Sequence, residues 1–140
     1  MTQARILIVD DHAAVREAIR MLLVRHPEYQ VCGEAATAQE AIYRSKEISP
    51  DVILLDISLP DRSGLEVLPE IRIGSPRSSI LIVSQHDPRH MRPMALSLGA
   101  KGFISKTSLC HELVSAIQTA LASNARDELE ESIRDGRRDT

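Results

Sequence analysis

Aromatic residues make up only 2% of the 140-residue chain, with one phenylalanine, two tyrosines and no tryptophan. Cysteine is as scarce: Cys32 and Cys110 lie far apart, in no CxxC or Cys/His metal spacing. No zinc site is therefore expected, and each is read as a reduced thiol. Basic charge is not in excess, with 17 Lys and Arg against 20 Asp and Glu, a net charge of -3 and a pI near 5.9. Proteins hold nucleic acid chiefly by neutralising phosphates, so this chain is not expected to read DNA itself. Its apolar runs are four or five residues long, far short of the roughly 20 that span a bilayer. No membrane partner is expected. The opening residues Met1 to Arg5 lack the charged and apolar regions of a signal peptide, which makes the cytoplasm the expected location.

What is present is the balance of a globular protein, 43% hydrophobic and 26% charged, in a length that suits one domain with a real core. Strand-like segments at Arg5 to Val9, Gln30 to Ala35, Val52 to Leu55, Ser79 to Ser84 and Gly102 to Ser105 alternate with five segments of helical periodicity. The helices carry Val15, Ala18, Ile19, Leu22 and Leu23; a Thr37/Glu40 capping box; Leu65, Val67, Leu68 and Ile71; Met91, Met94, Ala95 and Leu98; and Leu109, Leu113, Ala116, Ile117, Ala120 and Leu121. Pro69 inside the third helix predicts a late start or a kink. Gly99 is placed to stop the fourth helix in the left-handed conformation. Such alternation implies an α/β fold: a doubly wound, (βα)5 parallel sheet of five strands in the flavodoxin-like order 2-1-3-4-5, with right-handed crossovers. The domain is expected over residues 1–122, and 123–140 as a charged tail, either a solvated helix extension or a frayed end.

In this topology the apolar runs deliver polar groups to one edge. Ile6 to Val9 ends on Asp10 and Asp11, Val52 to Leu55 on Asp56, Ile80 to Val83 on Ser84, and Gly102 to Ser105 on Lys106. The carboxyl edge of an open parallel sheet is where ligands bind, and the first and third strands adjoin at its switch point. Two unit charges about 5 Å apart repel by roughly 3 kcal/mol at an effective dielectric of about 20, so three clustered carboxylates require a cation. Hard oxygen ligands favour Mg2+, with Mn2+ as a substitute. Lys106 supplies a fixed positive charge suited to a phosphoryl oxygen, and Asp56 is left as a nucleophile able to form an acyl phosphate. His12 and His86 flank the cleft and could be read as metal ligands, but the carboxylates suit a hard cation better, so both are read as solvent-facing loop residues.

The acidic pair Asp10-Asp11, the loop Asp56-Ile57-Ser58-Leu59-Pro60-Asp61-Arg62-Ser63-Gly64, Ser84, and Gly99-Ala100-Lys101-Gly102-Phe103-Ile104-Ser105-Lys106 together resemble a response-regulator receiver domain of two-component signalling, CheY-like and closest in pattern to the LuxR/NarL class. The resemblance covers Arg5 to about Ala122. It implies Asp56 as phosphoacceptor, Asp11 as direct Mg2+ ligand, Asp10 as ligand through water, and the Ser58 backbone carbonyl as a third protein ligand. It implies Lys106 and Ser84 on the phosphoryl oxygens and Phe103 as an aromatic switch that rotates inward as Ser84 moves. A sensor histidine kinase would be the donor, docking on the first helix and nearby loops. The surface of the fourth helix, fifth strand and fifth helix would engage a partner, or a second copy on phosphorylation. DNA would be reached only through an output domain that this chain lacks. The alternative is a stand-alone receiver acting through protein contacts. No enzyme is expected beyond the chain's own aspartyl phosphorylation and dephosphorylation.

Two other readings use the same edge. A haloacid-dehalogenase-like phosphatase needs Asp-x-Asp, but position 58 is Ser; a nucleotide or flavin module needs a phosphate-cradling glycine loop that does not follow the first strand. The chain also departs from the family where Thr107 stands in place of a common proline, and the Lys106-Thr107 bond is expected to be cis. Gln85 is larger than the residue usual after the hydroxyl. Ser58 and His86 occupy positions that in the family influence phosphoryl lifetime.

Overall fold

The computed structural model describes residues 3–135, so Met1, Thr2 and the last five residues of the tail lie outside it. Five strands, β1 (Ala4–Val9), β2 (Tyr29–Ala35), β3 (Val52–Leu55), β4 (Ser79–Ser84) and β5 (Gly102–Ser105), form one parallel sheet in the order β2-β1-β3-β4-β5. Five helices connect and follow them: α1 (Ala13–Leu23), α2 (Ala38–Ile48), α3 (Gly64–Gly74), α4 (Pro88–Ser97) and α5 (Leu109–Arg134). This is the expected doubly wound architecture. The central strands β3 and β4 are buried along their whole length, because helices cover both faces; that is why they read as unbroken apolar runs instead of alternating ones.

Two apolar layers follow from the period-two geometry of the strands. Leu7, Val9, Ile53, Leu55, Ile80, Ile82 and Phe103 belong to a core with α2, α3 and α4. Ile6, Ile8, Val52, Leu54, Leu81, Val83 and Ile104 belong to a core with α1 and α5. The register Val9↔Leu55 brings the ends of β1 and β3 level; Leu55↔Ile82 carries β4 two residues further, to Ser84, and Ser84↔Ser105 sets the end of β5 beside it. Both cysteines are free; burial pushes the Cys32 thiol up, against the reactive thiolate.

Local chemistry sets the helix ends. Thr37 accepts from the Glu40 N–H, and Glu40 Oε1 accepts from the Ala36 N–H, completing the capping box. Gly99 has φ +111°, and a Cβ there would fall 2.2 Å from Arg72 Nη1. The late start considered for α3 does not occur: Ser63 caps it, the helix begins at Gly64, and Pro69 is its sixth residue. Pro93 sits equally deep in α4, a second interior proline that periodicity alone did not bring out. Each removes a hydrogen bond to the carbonyl four residues back.

The segment after Ala122 continues α5 as far as Arg134. Asn124 Nδ2 donates to the Arg77 carbonyl at 3.1 Å, Asp127 pairs with Lys101 at 3.1 Å, and Glu128 lies 3.6 Å from Arg77 Nη1. These exposed contacts seat the extension on the end of the sheet remote from Asp56. Among the described residues, no helix is long and apolar enough to cross a membrane.

Candidate functional site

The level carboxyl ends of β1 and β3 determine which carboxylates meet. Asp10 follows β1 and Asp56 follows β3, each with a side chain only 2% exposed. Lys106, at the end of β5, reaches back between them: its Nζ is 2.8 Å from Asp10 Oδ2 and 3.5 Å from Asp56 Oδ2. Asp11 stands outside this buried pair, but one ligand atom each from Asp10, Asp11, His12 and Asp56 lie within 4.8 Å of one another. The structure thus brings together four of the residues singled out in the sequence, Asp10, Asp11, Asp56 and Lys106.

The electrostatics follow from that geometry. Asp56 Oδ1 accepts from the Ser58 N–H at 3.2 Å, whereas Oδ2 is buried and makes no hydrogen bond among the described residues. Burial, reinforced by the Asp10 carboxylate, pushes the Asp56 carboxyl above its usual range, against the opposing pull of Lys106 and the Ser58 N–H. An orphaned carboxylate oxygen beside two further carboxylates is a donor set that fits a hard divalent cation. Asp10, Asp11, His12 and Asp56 are the groups the structure brings close enough to share one ion.

Ser84 is buried at the end of β4, and its Oγ accepts from the His86 N–H at 3.0 Å. Phe103 is 6% exposed, its ring already within the core beneath α4. Ser58 Oγ and His86 Nε2 are 3.0 Å apart, which links the β3–α3 loop to the β4–α4 loop.

The Lys106-Thr107 bond is trans, contrary to expectation: there is no cis peptide bond among the described residues. A non-proline cis bond costs about 3 kcal/mol. The trans chain turns into a short 3-10 segment, Lys106–Ser108, where the Ser105 hydroxyl accepts from the Thr107 N–H at 3.4 Å, and Lys106 still reaches Asp10.

Three supports escaped the sequence reading. Arg16 donates to the Asp10 carbonyl at 2.6 Å and to Glu34 Oε1 at 2.8 Å, tying the β1–α1 loop to β2. Burial pushes the Glu34 carboxyl up, but Arg20 and Arg16 outweigh it and hold the group below its usual range. Asp61 accepts from the Ala38 N–H at 2.8 Å and the Gln39 N–H at 3.0 Å, clamping the loop after Asp56 to the start of α2; those donors hold its carboxyl low. His12 is exposed, as expected, and its Nδ1 lies 3.2 Å from carboxylate oxygens of both Asp10 and Asp11. Only His12 carried a local signal, its place next to the acidic pair.

Comparison with known proteins agrees with this geometry. The family model described as response regulator receiver domain matches residues 6–118. Transcriptional regulatory protein YdfI of Bacillus subtilis is 32% identical over 120 residues, which are 86% of this chain and 56% of that protein. The chain thus spans about half the length of that relative. Chemotaxis protein CheY of Thermotoga maritima is 34% identical over 113 residues, 81% of this chain and 93% of that protein. Among solved structures, a LuxR-family two-component response regulator from an Aurantimonas species superposes with a TM-score of 0.81 at 37% identity, covering 94% of this chain and 99% of that one.

Proposed function

Because the chain belongs to the response-regulator receiver family, we propose that it is a phosphorylation-operated switch whose phosphoacceptor is Asp56. The observation that carries this reading is the buried Asp56 carboxylate, whose Oδ2 has no hydrogen-bond partner among the described residues and lies beside the Asp10 carboxylate and the Lys106 ammonium. Oδ2 attacks the phosphorus of a phosphohistidine on a sensor kinase; the O–P bond forms, the P–N bond breaks, and its electron pair stays on the imidazole. Asp11, Asp56 and the Ser58 carbonyl, with Asp10 through water, would hold Mg2+, whose charge would offset the carboxylates and the phosphoryl oxygens. Lys106 exchanges its contact with Asp10 for one with a phosphoryl oxygen. The Ser84 hydroxyl leaves the His86 N–H for a second oxygen, drawing the β4–α4 loop inward.

Phe103 is the element that carries this shift outward. Its ring is already buried, so phosphorylation holds an inward state in place rather than creating one, a shift of population. The face of α4, β5 and α5 is then the surface read by the output. That output is a transcription-regulating domain if the chain is part of a longer regulator, and a protein partner or second copy if it stands alone. The setting is the cytoplasm, where sensor kinases present phosphohistidine. The chain catalyses no reaction on an external substrate; it promotes only the gain and loss of its own phosphoryl group.

The reading is tested by intact mass after incubation with acetyl phosphate and Mg2+. One added phosphoryl group is expected, absent when Mg2+ is chelated beforehand and absent in Asp56→Asn. Turnover of phosphate esters would favour a phosphatase instead.

A further inference from the structure

His12 is 57% exposed and is the N-cap residue of α1, yet its side chain makes no capping hydrogen bond. Its Nδ1 instead turns to the carboxylates, 3.2 Å from Asp10 Oδ1 and 3.2 Å from Asp11 Oδ1. Ligand atoms that are neighbours around an octahedral ion with bonds of about 2.1 Å are about 3.0 Å apart, and opposite ones about 4.2 Å. The His12 to carboxylate distances match neighbours. The full set with Asp56, within 4.8 Å, needs only a small contraction to close on one ion. This is more than a cluster of surface acids, since Asp56 is nine-tenths buried or more and its Oδ2 has no hydrogen-bond partner among the described residues.

We infer that His12 contributes a nitrogen ligand to this cation site and so turns it toward borderline first-row ions such as Ni2+, Co2+ or Zn2+, in competition with Mg2+. The inference rests on the reading of Asp10, Asp11 and Asp56 as the Mg2+ site. Mg2+ is satisfied by oxygen and by the waters it retains, so it gains little from an imidazole. Ni2+, Co2+ and Zn2+ form strong bonds to imidazole nitrogen, and their affinity for mixed nitrogen and oxygen sites exceeds that of the earlier divalent ions. Because His12 is exposed on the solvent side, it can join the ligand set for these ions and leave it for Mg2+ without disturbing the core. One site then has two ligand sets, and the ion present selects between them.

The experiment is calorimetric titration of the full chain with Mg2+ and, separately, with Ni2+, on wild type, His12→Ala, His12→Gln and His86→Ala. The Ni2+ titration is repeated in saturating Mg2+, and a Co2+ absorption spectrum is recorded for each variant as a readout of nitrogen ligation. We expect one Ni2+ that Mg2+ displaces, a loss of about tenfold or more in Ni2+ affinity in both His12 variants, Mg2+ affinity within about twofold of wild type, and no change in His86→Ala. Far-ultraviolet circular dichroism checks that each variant is folded. Mg2+ binding with Ni2+ affinity unchanged in both His12 variants overturns the inference and leaves the Mg2+ reading standing. Absence of both Mg2+ and Ni2+ binding in the wild type overturns the cation-site reading itself and the inference with it. Ni2+ that Mg2+ fails to displace, or that is lost in His86→Ala, also overturns the inference, because that ion sits elsewhere.

Discussion

Lys106 stands closer to Asp10 than to Asp56, with Nζ 2.8 Å from the first carboxylate and 3.5 Å from the second. The ammonium of this receiver is thus committed to the neighbour of Asp56, and one oxygen of Asp56 has no hydrogen-bond partner among the described residues. Removing it strands two buried carboxylates. We expect Lys106→Met to lose about 3 kcal/mol of stability in urea unfolding at neutral pH. The loss should shrink in acid, as the raised Asp56 carboxyl takes up a proton; a loss that stays the same from pH 8 down to pH 4 would count against this pairing.

Asp56 itself has the opposite sign. Burial and the Asp10 carboxylate raise its folded pKa, so its favourable contribution is full below the unfolded value of about 3.9 and is lost as pH rises through the folded value. At neutral pH the ionised group therefore works against folding. We expect Asp56→Asn, which carries no charge, to melt at a higher temperature than wild type at pH 7 in the absence of divalent cations. The advantage should narrow as pH falls toward 4. A variant less stable than wild type at pH 7 would count against the electrostatic picture.

Gly64 is held against the segment that follows β3: its N–H donates to the Ile57 carbonyl at 2.7 Å, and a Cβ would meet the Asp56 carbonyl oxygen at 2.1 Å. Backbone cannot yield as a flexible side chain does. Gly64→Ala should cost about 2–3 kcal/mol and displace the loop that carries Ser58. The check is a joint loss of thermal stability and of phosphorylation rate, and retention of both would show that the loop relaxes freely.

The chain has a single phenylalanine, so fluorophenylalanine labelling gives one fluorine resonance, that of Phe103. If its ring is the switch, beryllofluoride with Mg2+ should shift or sharpen that resonance in wild type and leave it unchanged in Asp56→Asn. A resonance indifferent to beryllofluoride in wild type, under conditions where the mimic binds, would reduce Phe103 to a core residue.

The ends of the buried strands were readable because a strand covered on both faces must be apolar throughout, so the first carboxylate or hydroxyl after it marks the ligand-binding edge. Asp10, Asp56 and Ser84 stand out in that way, and Lys106 as the cation that follows the short strand Gly102–Ser105. Contacts between distant segments were not readable: nothing local to Asp61 points to the start of α2, 23 residues away, and nothing in α1 marks Arg16 as a donor to the Asp10 carbonyl. The trans bond at Thr107 shows the limit of resemblance, since a preference set by proline elsewhere does not survive its replacement. The α5 extension has no apolar period to announce it, yet Ala125, Arg126, Glu128, Leu129, Glu130 and Glu131 are strong helix formers, and polar contacts from Asn124, Asp127 and Glu128 seat it. Ser49 ends α2 with φ 51°, a left-handed cap that a residue before proline does not advertise.

Asp56, and no other carboxylate of the cluster, is expected to carry the phosphoryl group. The most direct test is borohydride reduction after treatment with acetyl phosphate and Mg2+, which converts an aspartyl phosphate into homoserine, followed by peptide mass mapping. Homoserine is expected at position 56 alone, dependent on Mg2+. Homoserine at position 10 or 11, or at no position in a protein whose mass shows a phosphoryl group, would contradict it.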